Sequence, residues 1–226
     1  MKLTTIEQVQ KTVGKLPAPR DLKVIDYIDE HAKRWLSYTR FAFIALGKDG
    51  RIKLSAAGGE EGFVSASDLR HLLIPLTALE TENAVEIDSS FGALFIVSGM
   101  DETLRVNGKV SGITDGLLTL RVEECYLHCA KAFRRSSFWE PQSQEKSHDD
   151  ISRFVKQSKF LGLASINNSG QTDVSPKGDL ENFLIQEEDG FIGLADRPGN
   201  RRIDSFRNII EQQAVSIIAM VPGCND

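Results

Sequence analysis

Short apolar runs separated by Gly, Asn or Asp recur along most of this chain, and that spacing predicts strands rather than long helices. FAFIALG and RIKLSAA flank the turn KDG, and FLGLASI and QTDVSP flank NNSG, where Gly or Asn supplies the positive φ a tight hairpin needs. Two more strand-like runs cover Thr103 to Val106 and Leu117 to Val122. Helical spacing appears at Val24, Ile25, Ile28, Ala32, Trp35 and Leu36, and in shorter form at Ile151, Phe154 and Val155. Another helix is predicted across YLHCAKAFRRSSFWEP, with Val122, Tyr126, Cys129, Ala130 and Phe133 on one side and Arg134 and Arg135 closing its last turn. A last one carries a stripe of Ile203, Phe206, Ile209 and Ile210. The pattern predicts a mainly β chain with flanking helices, of the α+β class.

The strand pattern occurs twice. Phe41 to Phe63 aligns with Phe160 to Phe183, matching Ala45 with Ala164, Gly50 with Gly170, Ser55 with Ser175 and Gly58 with Gly178. Further along, LLIPL from Leu72 corresponds to IGLAD from Ile192, and GALFIVSG from Gly92 to VSIIAMVPG from Val215. An internal repeat predicts two copies of one supersecondary plan. We divide the chain into an N-terminal extension (1–23), a full first copy (24–141), a polar linker without periodicity (142–150) and a partial second copy (151–226). After PGCND nothing matches TLRVNGKV or the helix with its arginine pair. Half a barrel exposes unpaired strand edges, so the first copy, another chain or further sequence is expected to cover them.

Composition narrows the function classes. The 226 residues carry a formal net charge of -5 and 41% hydrophobic residues, an ordinary globular balance that argues against a general nucleic-acid binder. The first twenty residues lack the apolar core of a secretory signal, and no run approaches a bilayer span, so a soluble cytoplasmic protein is expected. Cys125, Cys129 and Cys224 are too few and odd in number for a disulfide framework. CYLHC offers at most three clustered ligands, so no metal site is expected, and His31, His71 and His148 stand alone. Neither a Gly-x-Ser-x-Gly elbow nor a Walker loop occurs. Ser175 lacks a His in related context to activate it, and no catalytic residue is assigned.

The most specific chemistry lies between Thr172 and Arg202. Asn200, Arg201 and Arg202 precede a helical pattern, and Pro198 and Gly199 set a tight entry, which together read as an anion cradle. In VSPKGD, Pro176 is expected to end regular pairing, Lys177 adds a cation, and Gly178 is expected to admit a flat ring to the backbone. A plainer reading has Asp173 and Asp179 holding Lys177 in a surface ion pair. The first copy is an internal control: DRPGNRR is replaced by TALETENA, with Glu80 and Glu82 where the cations were, and SPKGD by SAAGG. The strands persist while the charges are lost.

These motifs together resemble the pyridoxamine 5'-phosphate oxidase-like flavoproteins, and within them a branch with DVSPRGD, DRPGNRR, ETLRVNG and VEEAYLHCAKALRRS segments. Here they fall at Asp173 to Asp179, Asp196 to Arg202, Glu102 to Gly108 and Val122 to Ser136. The resemblance covers most of the chain after Val24, although in the family all four segments follow one another within one domain. It implies an FMN-binding split β-barrel, as a degenerate full copy followed by a partial one, and a flavin-dependent oxidoreductase acting on a small acceptor. A non-catalytic protein binding FMN, F420 or haem, and a structural pseudo-dimer without ligand, are the alternatives. It further implies FMN held by Asp173, Val174, Ser175, Pro176, Lys177, Asp196, Arg197, Asn200, Arg201 and Arg202, and by Arg134, Arg135, Ser136 and Trp139 on the other wall. Those walls would meet within one chain, as a pseudo-dimer, or between two chains of a homodimer.

Overall fold

Asp49 and Gly50, both left-handed at φ 51 and φ 72, fold strand β1 (Phe41–Lys48) back onto β2 (Arg51–Gly58) in the expected hairpin. The computed structural model describes residues 2–17, 23–80, 85–129, 131–140, 151–188 and 190–222. Strands β3 (Ser65–Ala66), β4 (His71–Pro75), β5 (Ser90–Ile96), β6 (Thr103–Thr114) and β7 (Leu117–His128) complete a seven-stranded antiparallel sheet of order β2-β1-β5-β6-β7-β4-β3. The second copy supplies β8 (Phe160–Ile166), β9 (Thr172–Gly178) and β12 (Val215–Met220), ordered β12-β8-β9, and a separate hairpin of β10 (Ile185–Glu188) and β11 (Phe191–Leu194). Among the described residues neither sheet closes on itself.

The repeat is visible in register. Phe41 faces Gly58 and Phe160 faces Gly178; Ile44 faces Ser55 and Leu163 faces Ser175. On the other side of the central strand, Phe41 pairs with Ile96 and Phe160 with Met220. Positions aligned by sequence therefore occupy the same rungs of two ladders.

Among the described residues five helices flank the sheets: α1 (Ile6–Val13), α2 (Glu30–Ser37), α3 (Lys131–Ser136), α4 (Ile151–Gln157) and α5 (Asp204–Glu211). Helix α2 starts later than the apolar spacing predicts, because Asp29 caps it by accepting from the Ala32 amide at 2.7 Å. Ile25 instead bridges Cys125 at the sheet. The helix expected from Val122 is replaced by strand as far as His128, whose rungs pair with β6 down to Thr103; only Lys131–Ser136 is helical. Pro176 does not end pairing either. It lies opposite Gly162 on β9, an edge strand, where a missing N–H costs no ladder bond.

Among the described residues three apolar clusters organise the interior. One fills the first copy beneath α2, with Phe91, Ala93, Phe95, Leu72 and Ile74 at its centre. A second joins the copies, packing Phe43 and Leu94 of the large sheet against Phe133 of α3 and Phe160 and Val174 of the small one. Phe133 and Phe160 stack at 5.0 Å between ring centroids. The third, around Leu161, Leu163, Leu184 and Ile185, belongs to the second copy and is small. One face of the half-copy is thus covered by the first copy, with β9 against β5 and β1 and β12 against β2. No helix of the described residues is long and apolar enough to cross a membrane. The linker 142–150, Glu82, His148 and Cys224 lie outside the described residues.

Candidate functional site

Where β9 leaves the small sheet, it runs beside α3. A Cβ at Gly178 would stand 2.1 Å from the carbonyl oxygen of Ala132, so glycine is required for the helix to approach. The close neighbour is protein backbone and not a ligand ring, which corrects the sequence reading. The contact places α3 of the first copy against the cation-bearing segment of the second, and a cleft opens between them.

The cleft measures about 780 Å³ with its open mouth included. The first copy contributes Arg105, His128, Lys131, Ala132 and Arg135 to its walls. The second contributes Ser175, Pro176, Lys177, Asp196, Arg197, Asn200, Arg201, Arg202, Asp204 and Ser205; Val13 of α1 lies at the rim. The two walls meet within one chain. Seven cations (Arg105, Lys131, Arg135, Lys177, Arg197, Arg201, Arg202) face two carboxylates (Asp196, Asp204), leaving the lining five charges positive.

Most of those cations are already matched. Lys177 pairs with Asp196 at 3.0 Å, Arg197 with buried Asp179, and Arg202 with Asp204 at 3.4 Å. Neither Asp173 nor Asp179 holds Lys177, contrary to the plainer sequence reading. Lys131, Arg135 and Arg201 have no carboxylate partner among the described residues. Arg135 donates to the Pro198 carbonyl, and Arg201, at φ 65, lays its side chain against Gly14 at the end of α1.

Arg105 forms the floor. Its guanidinium, 1% exposed, donates to Asp173 at 2.8 Å, the Tyr126 hydroxyl at 2.9 Å and Ser175 Oγ at 3.2 Å, with Asp204 at 3.6 Å. Burial opposes its charge, but Asp173, Tyr126 and Asp204 more than offset this and keep it protonated. Burial in turn holds the Asp173 carboxyl above the usual carboxylate range, against the pull of Arg105. Tyr126 is pushed up by burial, and Arg202 lies over its ring at 4.3 Å. Ser205 donates to Ser175 Oγ at 2.8 Å, so two hydroxyls line the wall above Arg105.

His128 closes one side. The Asn200 amide donates to Nε2 at 3.0 Å, which puts the ring proton on Nδ1, a buried atom beside the Cys129 backbone. Burial, and behind it the charges of Arg105 and Arg202, holds this histidine well below its usual range, so it is neutral at pH 7.

No protein-family model matches the sequence, and no curated protein matches it.

The expected site residues divide sharply. Ser175, Pro176, Lys177, Asp196, Arg197, Asn200, Arg201, Arg202 and Arg135 line the cleft. Asp173 lies behind it as the partner of Arg105, and Val174 is in the core between the sheets. On the other wall Arg134 points away, 72% exposed and paired with Asp101 at 2.9 Å. Ser136 is buried and donates to the Ala132 and Phe133 carbonyls, while Trp139 stacks on Phe133 and donates to the Met100 carbonyl. The cradle also differs from a helix start: α5 begins at Asp204, and the Asn200 side chain instead accepts from the Arg202 amide within the preceding loop. Asp204 already supplies that first turn with a carboxylate. Sequence reasoning missed Arg105, His128, Lys131, Asp204 and Ser205. Lys131 could have been found, since it stands four residues before Arg135 on the same helix face.

Among the described residues no group of three or more metal-ligating side chains forms. Cys125 is buried in the first core, and burial pushes its thiol up to about 12, away from ligand or nucleophile chemistry.

Proposed function

We propose that the chain binds FMN in this cleft, as a tandem, partly degenerate relative of the FMN-binding split β-barrel, and serves as a flavin-dependent oxidoreductase on a small acceptor. The observation that carries this reading is the trio of Lys131, Arg135 and Arg201. Three cations without carboxylate partners, drawn from both copies, converge on one cleft, a costly arrangement for a surface with no anion to bind. Arg presents forked donors that suit phosphate oxygens. Ser175 and Ser205 add hydroxyls, and neutral His128 lines the same cleft.

The residues fit a phosphate-bearing planar group. Lys131, Arg135 and Arg201 would hold its phosphate, while Ser175, Ser205 and Asn200 would hydrogen-bond its polar edge. The flavin, when bound, supplies hydride and electron transfer; the protein orients it and limits solvent access. Both walls belong to one chain, which favours the intramolecular pseudo-dimer over a homodimeric site. Absorbance and mass of the ligand released from freshly purified protein test the proposal: flavin bands and the FMN mass are expected, and a colourless protein that also fails to take up added FMN would overturn it. Bleaching by a reduced nicotinamide then separates an enzyme from a flavin carrier.

A further inference from the structure

Residues that are buried in the first copy lie open at matching positions of the second. The paired registers fix the correspondence. Leu161 and Leu163 of β8 match Ala42 and Ile44 of β1, whose partners on β5 are Phe95 and Ala93. The partners of Leu161 and Leu163 on β12 are Ala219 and Ile217. Ala93 is 0% exposed and Ile217 is 38%. On the neighbouring hairpin Leu72 is 0% exposed, whereas its counterpart Ile192 is 64%.

The cause is specific. In the first copy, β6 pairs with β5 and β7 pairs with β4, and their apolar side chains cover both. The counterparts of β5 and β4 are β12 and β11, each of which, among the described residues, has a strand on one edge only. Strand β12, VSIIAM, carries no charge or proline to protect its free edge. The second core is correspondingly small.

We propose that the open face of β12 and β11 is a docking surface for a two-stranded antiparallel β-hairpin built like β6–β7. One strand would pair with β12 and the other with β11. The occupant is defined by the chain's own first copy: a hairpin with alternating apolar residues, entering antiparallel to β12 and leaving antiparallel to β11. The proposal does not rest on the flavin reading, since it concerns the free edges of β12 and β11, and β12 lies across β8 from β9, the strand that carries Ser175 and Lys177 of the cleft.

The test appends a second copy of residues 103–136 behind Asp226 of the full chain. Six residues, 97–102, join β5 to β6, and six, 221–226, would then join β12 to the new strand. Expected are a several-fold fall in binding of an apolar-surface dye such as ANS, slowed amide exchange across Val215–Met220, and a monomer by sedimentation. Appended hairpins with their copy of Val106→Asp should lose all of this protection. Independently, Ile217→Lys in the unmodified chain should lower dye binding while leaving the unfolding midpoint within a degree. Two results overturn the proposal: an unmodified monomer whose β12 amides are already protected, or an unmodified dimer that protects them, which would assign the face to a second copy of the chain.

Discussion

Arg105 and Asp173 lie 2.8 Å apart, one on β6 of the first copy and the other on β9 of the second, and both are almost completely buried. The pair ties the copies together behind the cleft and places Arg105 at its floor. Its energetics follow from burial: removing one partner leaves an uncompensated charge where water cannot reach.

Arg105→Met or Asp173→Asn is therefore expected to destabilise the chain by about 3–5 kcal/mol in urea unfolding. Since the second apolar cluster also spans both copies, unfolding should remain a single transition. A loss under about 1 kcal/mol, or two separate transitions in the unmodified chain, would show that the copies are not coupled this way.

Gly178→Ala introduces a methyl group 2.1 Å from the Ala132 carbonyl oxygen and must displace α3. Overpacking of this kind costs about 1–3 kcal/mol or more, and the displaced helix carries Lys131 and Arg135, so ligand affinity should fall as well. Gly112→Ala on β6 meets no atom within 4 Å and should change stability by less than about 0.5 kcal/mol. Equal melting temperatures for the two variants would contradict the helix contact.

His128 gives the pH dependence. Its folded pKa is depressed, so the unfolded chain binds a proton that the folded chain refuses once pH falls below the ordinary value of 6.5. Stability is full above that value and falls with decreasing pH by up to about 1.4 kcal/mol per pH unit until the folded value is reached. His128→Gln, which keeps an acceptor for Asn200, should flatten the decline between pH 6.5 and 5. An unchanged slope in chemical unfolding across that range would remove the assignment.

The strands and their repeat were legible because alternation and turn residues are local signals: KDG and NNSG fixed both hairpins, and the alignment of Ser55 with Ser175 predicted their shared rung. Strand β7 was misread because Val122, Tyr126, Cys129 and Phe133 happen to recur at near-helical spacing, while its true partners, Thr103 to Asn107, lie some twenty residues away. Arg105 was concealed by the same non-local logic. Leu104, Arg105 and Val106 are all buried because β6 is covered on both faces, one by the first core and the other by β9. No single copy shows that. Nor does RRSSFW reveal which arginine turns inward; the direction in which α3 leaves β7 sends Arg135 to the cleft and Arg134 to solvent.

The most direct measurement is an FMN titration by flavin fluorescence on three proteins: the unmodified chain, Arg135→Ala/Arg201→Ala, and Arg134→Ala. The unmodified chain should bind one FMN. Loss of two charge-assisted contacts of about 1.5 kcal/mol each should weaken binding by ~100-fold in the double variant. Arg134→Ala, which removes a cation that faces away from the cleft, should bind as the unmodified chain does. Equal affinity in all three, or no binding to the unmodified chain, would contradict the assignment of this cleft to a phosphorylated flavin.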